Sequence, residues 1–211
     1  MMPIVDTVRE KVPYDSFSVT ELATLLTGSK ASRYGLIKRA VADGKLISLR
    51  RGLYCLAENY RRGSLNLFVI AQKMYGPSAI SFESALSYHG WIPEAVYTVA
   101  SATTRRSVRF ENALGVFDFV RIPLKPFLTG VERRIVDKES FFMSRPWRAI
   151  LDIVSIRKLE WTGIHPLIES LRIERESLDE TDPAELAELE KAYHSRRISK
   201  FVKGVRKDLK L

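Results

Sequence analysis

The sequence has few cysteines and histidines, and this shortage argues against disulfide-stabilised and zinc-stabilised folds. Its single cysteine, Cys55, cannot form an internal disulfide, and it lies in an apolar segment where a strand would bury it. The three histidines, His89, His165 and His194, have neither paired spacing nor a second cysteine to complete a site. A structural zinc site is therefore not expected. We expect neither a metal nor another cofactor.

Long apolar runs are missing as well. The best candidate for a membrane span, residues 65–71, is interrupted by Asn66 and falls far short of the roughly 20 residues that a spanning helix needs. The first residues include Asp6 and Glu10 and contain no apolar block, so no signal peptide is expected. The sequence therefore predicts a folded cytoplasmic protein with no membrane partner.

Catalytic motifs are also absent from the sequence. It contains no P-loop, no GxGxxG, no HExxH and no GxSxG. Two pairs of carboxylates are candidates for acid–base catalysis, but neither has the spacing of a known motif: Glu83 with Glu94, and Asp118 with Asp152. An enzyme, acting for instance on nucleic acid, is therefore disfavoured. We expect a protein that is not an enzyme.

Basic charge, in contrast, is abundant. The 211 residues carry a formal net charge of +9, which favours a polyanionic partner. The extremes of charge lie late in the chain, where residues 174–190 contain eight acidic side chains and one Arg, and residues 196–211 contain seven basic side chains and one Asp. These two blocks can pair with each other or face solvent, or one of them can serve a partner.

The first sixty residues contain three predicted helices. Apolar residues at helical spacing predict a short helix from residue 4 to 12, which ends before Pro13. Ser18 and Glu21 match a capping box, so a second helix should begin at residue 19 and stop at Gly28. A third helix should follow Ser29 as its cap and run to residues 43–44, with Leu36, Ile37, Ala40 and Val41 facing the core.

The third predicted helix has a basic exposed side. A short turn between two helices, the second of them basic, is typical of a helix-turn-helix, in which the second helix enters the major groove of DNA. The side chains predicted to contact DNA from the cap and this helix are Ser29, Lys30, Ser32, Arg33, Lys38 and Arg39.

A hairpin is predicted directly after these helices. Apolar runs on both sides of Arg50, Arg51 and Gly52 indicate two short strands joined by a tight turn. The hairpin would be the wing of a winged helix-turn-helix, with Arg50 and Arg51 at its tip contacting the DNA backbone or a minor groove. Because some winged helices contact only proteins, a protein ligand remains the alternative for this module.

A second domain is predicted from residue 64 to 211, after a linker at residues 57–63 without apolar periodicity. Helices are expected at residues 65–75 and 82–89, with Ser81 as a cap and His89 capping carbonyl groups at the helix end. Strands at 95–102, 107–112 and 115–122 should form a small antiparallel meander. Helices should dominate from Trp147 onward, so the predicted fold class is α+β.

The predicted turn at Thr103, Thr104, Arg105 and Arg106 is a candidate binding site for a partner. Two hydroxyls and two guanidinium groups on a turn can hold a phosphate or an acidic protein surface. An exposed polar hairpin without a ligand explains the same residues equally well.

The chain resembles a known family in this region. The segments ISFESALSYHGWIPE (residues 80–94) and YTVASATTRRS (97–107), together with the predicted winged helix, are similar to AbiEi proteins. These are antitoxins of the type IV, or abortive-infection, toxin–antitoxin systems of bacteria. The resemblance covers roughly residues 15–125 and fades beyond residue 150.

The resemblance implies a bacterial DNA-binding antitoxin and transcriptional autorepressor. Its winged helix would bind inverted repeats in its own promoter, and the rest of the chain would counteract a nucleotidyltransferase toxin encoded next door. The alternative is a stand-alone winged-helix transcription factor with a ligand-sensing or dimerising second domain. The neighbouring gene discriminates between the two, whereas the sequence leaves the oligomeric state open.

Overall fold

The computed structural model describes residues 4–211, so the first three residues of the predicted 1–60 domain lie outside the described residues. The protein is a mixed α+β protein with a small antiparallel sheet and a larger mixed sheet. It forms two compact units. Unit 1 comprises Met1–Ile70, of which residues 4–70 are described, and Phe110–Val116; unit 2 comprises Ala71–Arg109 and Phe117–Leu211.

Unit 1 alternates helices and short strands. In chain order its elements are α1 (Ile4–Lys11), β1 (Ser16–Ser18), α2 (Val19–Leu25), α3 (Lys30–Ala42), β2 (Leu46–Arg50) and β3 (Leu53–Leu56), followed by a 3-10 helix at Glu58–Tyr60. The three predicted helices and the predicted hairpin are confirmed. Strand β1 was not predicted, because three residues are too few to show a periodicity.

The three strands of unit 1 form an antiparallel sheet in the order β1-β3-β2. Ser16 lies opposite Cys55, and Leu46 lies opposite Leu56. The sheet and the three helices bury one core, formed by Ile4, Val5, Val8, Val12, Phe17, Leu22, Ile37, Ala40, Leu46 and Leu56. Cys55 is fully buried, as predicted.

The start of α2 is held by the predicted capping box. The Ser18 Oγ accepts a hydrogen bond from the Glu21 amide at 3.1 Å, and the Glu21 carboxylate accepts one from the Ser18 amide at 2.6 Å. The predicted end of this helix was wrong. The helix stops at Leu25 and Leu26 is extended, so Gly28, with φ of +99°, shapes the following turn and does not cap the helix.

Residues 57–63 do not form the free linker that their composition predicts. Arg61 donates from Nε to the Leu56 carbonyl at 2.8 Å. Arg62 donates from Nη1 to Asp15 Oδ1 at 2.8 Å and from Nη2 to the Val12 carbonyl at 2.9 Å. The segment is therefore attached to unit 1 by polar contacts, which a search for apolar periodicity does not register.

The rest of the chain contains most of the helices and the larger sheet. Helix α4 (Leu67–Met74) spans the boundary between the units, and the following elements are β4 (Ser78–Ile80), α5 (Phe82–Tyr88), β5 (Thr98–Thr103), β6 (Val108–Asn112), β7 (Gly115–Arg121), β8 (Val131–Val136), β9 (Glu139–Ser144), α6 (Pro146–Ile156), α7 (His165–Leu171), α8 (Arg175–Asp179), α9 (Pro183–Tyr193) and α10 (Arg196–Leu209). The predicted dominance of helices from Trp147 is confirmed.

The larger sheet differs from the predicted small meander. Its six strands lie in the order β6-β7-β5-β4-β9-β8, and β4 runs parallel to β9 with Ile80 opposite Met143. The prediction missed β4, β8 and β9. Strand β4 has only three residues, and β8 carries charges at Glu132, Arg133 and Arg134 that break the alternation expected of a half-buried strand.

Two further expectations around α5 were wrong in detail. Ser81 precedes the helix as predicted, but its side chain does not cap it; the hydroxyl donates to Asp152 Oδ2 at 2.6 Å. His89 ends the helix as predicted, but its Nε2 lies 3.0 Å from the carbonyl oxygen of Ser144 in β9 and does not cap the carbonyls of its own helix.

A buried ion pair organises the centre of unit 2. Arg148 and Asp152, one turn apart on α6, both have no exposed side-chain surface, and the guanidinium Nε lies 3.1 Å from Asp152 Oδ2. Arg148 also donates to the carbonyls of Phe127 and Thr129, at 3.0 and 2.6 Å. The hydroxyl of Tyr193 donates to Asp152 Oδ1. Three segments of unit 2, at Ser81, at Phe127 to Thr129 and at Tyr193, thus converge on one charged pair of α6.

No helix among residues 4–211 combines the length and the apolar character that crossing a membrane would require.

Candidate nucleic-acid interface

Helix α3 presents three of the predicted DNA-contacting side chains on its exposed side. Ser32, Lys38 and Arg39 are exposed, and Ser32 and Arg39 are seven residues apart, which places them on the same face two turns apart. The opposite face of the helix carries the buried Ile37 and Ala40. These three side chains therefore point away from the core of unit 1.

The remaining predicted residues of α3 are arranged differently. Ser29 caps the helix, because its Oγ accepts from the Ser32 amide at 3.2 Å. Arg33 is only half-exposed, and its Nη1 donates to the Gly28 carbonyl at 2.9 Å. Arg33 thus braces the turn between α2 and α3; its side chain is less exposed than expected, and its contact with DNA stays a prediction. Lys30 is exposed beside the same turn.

An apolar groove of about 640 Å³ lies between α2 and α3. Leu22, Leu26 and Ile37 line it, and Lys30 and Arg33 lie at its edge. Tyr34, whose side chain is 62% exposed, also borders the groove. The predicted set of DNA contacts is therefore divided between this groove and the opposite, polar side of α3.

The hairpin tip gives its two arginines different surroundings. Gly52 has φ of +80°, a conformation that favours glycine and lets the chain reverse between β2 and β3. Arg50 folds over the turn and donates from Nη1 to the Arg51 carbonyl at 2.9 Å, whereas the Arg51 side chain is exposed. Arg51 is therefore the exposed side chain of the tip, and Arg50 supports the turn.

The candidate partner site at residues 103–106 is only partly exposed. Thr103 is fully buried as the last residue of β5, and its Oγ1 donates to the Pro77 carbonyl at 2.7 Å, so its predicted exposure was wrong. The guanidinium of Arg105 stacks 4.5 Å from the centre of the Tyr75 ring. The Tyr75 hydroxyl donates to the Arg106 carbonyl at 3.1 Å.

These contacts fix the conformation of the turn and leave Thr104 and Arg106 as its freest side chains, both exposed. Arg105 is committed to the aromatic ring and to the Gly76 carbonyl, 3.3 Å from its Nη1. The turn is thus a rigid polar corner of unit 2 with two side chains available to a ligand.

A basic surface lies on α10, within the basic block that the sequence shows at residues 196–211. The net positive charge of residues 196–211 is evident in the sequence, but the net charge alone does not show that the basic side chains lie on one side of a helix. The helical spacing of the basic residues indicates this arrangement, because intervals of four, three and four residues separate Arg196, Lys200, Lys203 and Lys207.

Burial shifts the pKa of two side chains of interest. Burial raises the pKa of the Cys55 thiol to about 11, against a smaller opposing effect of Arg61. Burial lowers the pKa of His89 below its ordinary value, although the Ser144 carbonyl and Glu132 oppose this. Cys55 is therefore a protonated thiol and His89 a neutral imidazole near neutral pH. Within residues 4–211, no three His, Cys, Asp or Glu side chains are grouped to hold a metal ion.

Neither a family model nor a curated protein matches the chain.

Proposed function

We propose that the protein is a DNA-binding transcriptional regulator whose unit 1 is a winged helix-turn-helix. The observation that carries the proposal is the succession of helix, strand, capped helix, basic helix and hairpin around one core. Helix α3 would be the recognition helix in the major groove, and the β2–β3 hairpin would be the wing.

The exposed side of α3 favours DNA over a protein as the ligand of unit 1. Ser32 and Gly35 are small, so the helix backbone can approach the edges of base pairs closely, and Lys38 and Arg39 beside them can reach bases or phosphates. Protein interfaces usually rely on large apolar or aromatic anchors. Those of this region, Leu26 and Tyr34, border the groove on the other side of the helix.

More particularly, we propose an antitoxin of the AbiEi type that represses its own promoter and counteracts a nucleotidyltransferase toxin. The support is the sequence resemblance in residues 80–107, which lies in unit 2 and is not required by any winged helix. In this proposal unit 1 would bind inverted repeats of double-stranded DNA, and unit 2 would carry the antitoxin activity. Thr104 and Arg106 are the side chains of the resembling segment that would be free for a partner.

The DNA-binding proposal is tested by measuring the affinity of the full chain for the DNA upstream of its own gene and for a shuffled duplex. We expect the upstream DNA to bind more tightly. The variant Lys38→Gln/Arg39→Gln should lose most of this preference, because α3 would read the bases. Lys11→Gln/Lys45→Gln removes the same charge elsewhere in unit 1 and is the control. Equal affinity for both duplexes, or equal losses in both variants, would contradict the recognition-helix assignment.

The antitoxin proposal needs a separate experiment, because DNA binding is common to all transcription factors. The neighbouring gene is expressed alone and together with this protein, and growth is scored. We expect the neighbour to inhibit growth and this protein to restore it. If a toxic neighbour is not counteracted, the antitoxin proposal fails and a stand-alone transcription factor remains.

A further inference from the structure

The apolar groove of about 640 Å³ in unit 1, named here the α2–α3 groove, continues the core of this unit to its surface. Leu22 and Ile37 line it and are almost fully buried. Leu26 borders it from the end of α2 and is half-buried, and Tyr34 borders it from α3 and is largely exposed. Water in this groove contacts apolar surface at a cost in free energy, which an apolar ligand would remove.

Two cations lie at the end of the groove next to the turn between α2 and α3. Lys30 is the first residue of α3, and Arg33 is held toward the turn because its guanidinium donates to the Gly28 carbonyl at 2.9 Å. Val19, the first residue of α2, lines the groove away from this turn. The groove therefore has one cationic end and an apolar remainder.

Acidic neighbours do not balance these charges. No acidic side chain lines the groove, and among residues 4–211 neither Lys30 nor Arg33 takes part in an ion pair. Helix α3 contains no acidic residue, and the single one of α2, Glu21, accepts a hydrogen bond from the Ser18 amide. An anionic group is therefore the complement of this end of the groove.

The size of the groove favours a small molecule over a protein. Its volume falls in the range of roughly 300–1,000 Å³ that is typical of small-molecule sites, which are also mainly apolar with few polar groups. Helix α2 has seven residues, so this wall of the groove is only about 10 Å long. A stable protein complex buries roughly 800 Å² on each partner, far more than such a short groove offers. A second copy of the chain would find too little surface here to form a stable dimer.

The lining of the groove selects a ligand with two parts. A fully polar metabolite would leave the apolar walls in contact with water, and a neutral apolar molecule would leave the two cations without a partner. A carboxylate can accept hydrogen bonds from the Lys30 ammonium and from the Arg33 N–H groups that do not face Gly28. The best match is an apolar chain that ends in one carboxylate.

We propose that the α2–α3 groove binds a small amphipathic carboxylate of the size of a medium-chain fatty acid. Its chain lies along Leu22 and Ile37, and its headgroup lies at Lys30 and Arg33. This binding does not depend on the proposed function. Lys30 is also a predicted DNA contact, so a carboxylate beside it reduces the attraction for phosphate and lowers the affinity for DNA. The effect on DNA rests on the proposed function.

The experiment titrates the full chain with octanoate, with its neutral analogue octanol and with acetate, and follows backbone amide shifts by NMR. We expect octanoate to saturate a single site and to shift amides of α2 and α3. Octanol should bind more weakly because it lacks the charge, and acetate should not bind because it lacks the chain.

A variant that fills the groove locates the site. Ala23 is half-buried and lines the groove, so Ala23→Phe places a ring inside it and should abolish the binding of octanoate and octanol. Ala42→Phe makes the same change at an exposed position of α3 outside the groove and is the matched control. Thermal unfolding verifies that both variants are folded.

A charge variant tests the position of the headgroup. Lys30→Gln should weaken octanoate binding about two- to fivefold, the effect of one exposed ion pair, and should leave octanol binding unchanged. Lys30→Arg should restore octanoate binding, and Lys11→Gln, which removes an exposed lysine of α1, is the control. An equal effect of Lys30→Gln on both ligands would contradict the headgroup position.

Three results overturn the proposed site: octanoate does not saturate, its binding survives in folded Ala23→Phe, or the chain forms a dimer that Ala23→Phe dissociates. In the last case a second copy occupies the groove. Light scattering of the wild type and of this variant measures the oligomeric state.

DNA binding with and without octanoate separates this proposal from the proposed function. We expect octanoate to lower the affinity of the wild type for the DNA upstream of its gene and to have no effect on Ala23→Phe. A chain that binds octanoate in the groove but no DNA retains the site and loses the proposed function. A chain that binds DNA through α3 but not octanoate loses only the site. Independent binding of both overturns the coupling.

Discussion

Arg62 and Asp15 are 47 residues apart in the sequence and meet at two points. The Arg62 amide donates to Asp15 Oδ2 at 2.9 Å, and the guanidinium Nη1 donates to Oδ1 at 2.8 Å. The same guanidinium donates to carbonyls at the end of α1, including that of Val12. The Arg9 and Val12 carbonyls lie where the helix ends and intrahelical donors run out, so Arg62 satisfies them and ties residues 61–63 to the start of unit 1.

Replacing Arg62 with alanine should therefore loosen unit 1. We expect the free energy of unfolding of unit 1 to fall by about 1–2 kcal/mol, because the substitution removes charge-assisted hydrogen bonds to carbonyls at a partly exposed site. Hydrogen exchange of the α1 and β3 amides measures the loss. The control is Arg9→Ala, which replaces an exposed arginine of α1 and should leave exchange unchanged. Equal exchange in both variants would contradict the role assigned to Arg62.

The capping box makes a smaller contribution that can be separated into its two halves. Ser18→Ala removes the acceptor for the Glu21 amide and should destabilise unit 1 by about 1 kcal/mol. Glu21→Gln keeps an acceptor for the Ser18 amide and should cost less. Hydrogen exchange of the α2 amides measures both, and a larger effect of the Glu21 substitution would be the unexpected result.

Asp152 holds the buried polar centre of unit 2. The carboxylate raises the pKa of Arg148 despite burial, and burial together with Asp152 raises the pKa of Tyr193 well above its ordinary value. Arg148 is thus a cation and Tyr193 a hydrogen-bond donor. Asp152→Asn should cost about 3–5 kcal/mol in urea unfolding, because Arg148 is left buried without a counter-charge.

Tyr193→Phe is the comparison for this substitution. It removes one hydrogen bond to the same carboxylate and leaves the charges balanced, so we expect a smaller loss of about 1.5–3 kcal/mol. If the two substitutions destabilise equally, the charge of Asp152 is not what stabilises the centre of unit 2.

His89 should make the stability of unit 2 depend on pH. Burial lowers its pKa in the folded protein, so between that value and the ordinary value of about 6.5 the unfolded chain binds the extra proton. The contribution of neutral His89 to the stability of unit 2 is therefore complete above a pH of about 6.5 and declines as the pH falls below that value. His89→Gln should show a flatter pH dependence of the urea midpoint, and an identical dependence in both proteins would exclude His89 as the cause.

The helices of unit 1 were predictable from local signals, whereas the larger sheet was not. Ser18, Glu21 and Ser29 act on residues two or three positions away, so the sequence near them contains the whole interaction. Strand β4 depends on partners at residues 101–103 and 143, and no pattern within three residues specifies such distant pairing.

The basic residues of the candidate interface are evident from the sequence, but the placement of their side chains is not. A sequence shows which residues are basic and on which helix they lie. It does not show that Arg33 turns back to Gly28, that Arg50 closes its own turn, or that Thr103 ends a strand with its hydroxyl on Pro77. Each of these side chains contacts a backbone carbonyl, and such contacts depend on the folded path of the chain.

Cys55 gives unit 1 a built-in reporter of its own opening. Its thiol has no exposed surface and a pKa of about 11, so a thiol reagent can react with it only after the sheet of unit 1 opens. The three tryptophans of the chain, Trp91, Trp147 and Trp161, all belong to unit 2 and respond in fluorescence to that unit alone. One sample therefore gives two separate measurements of unfolding: the rate of thiol modification for unit 1 and the tryptophan fluorescence for unit 2.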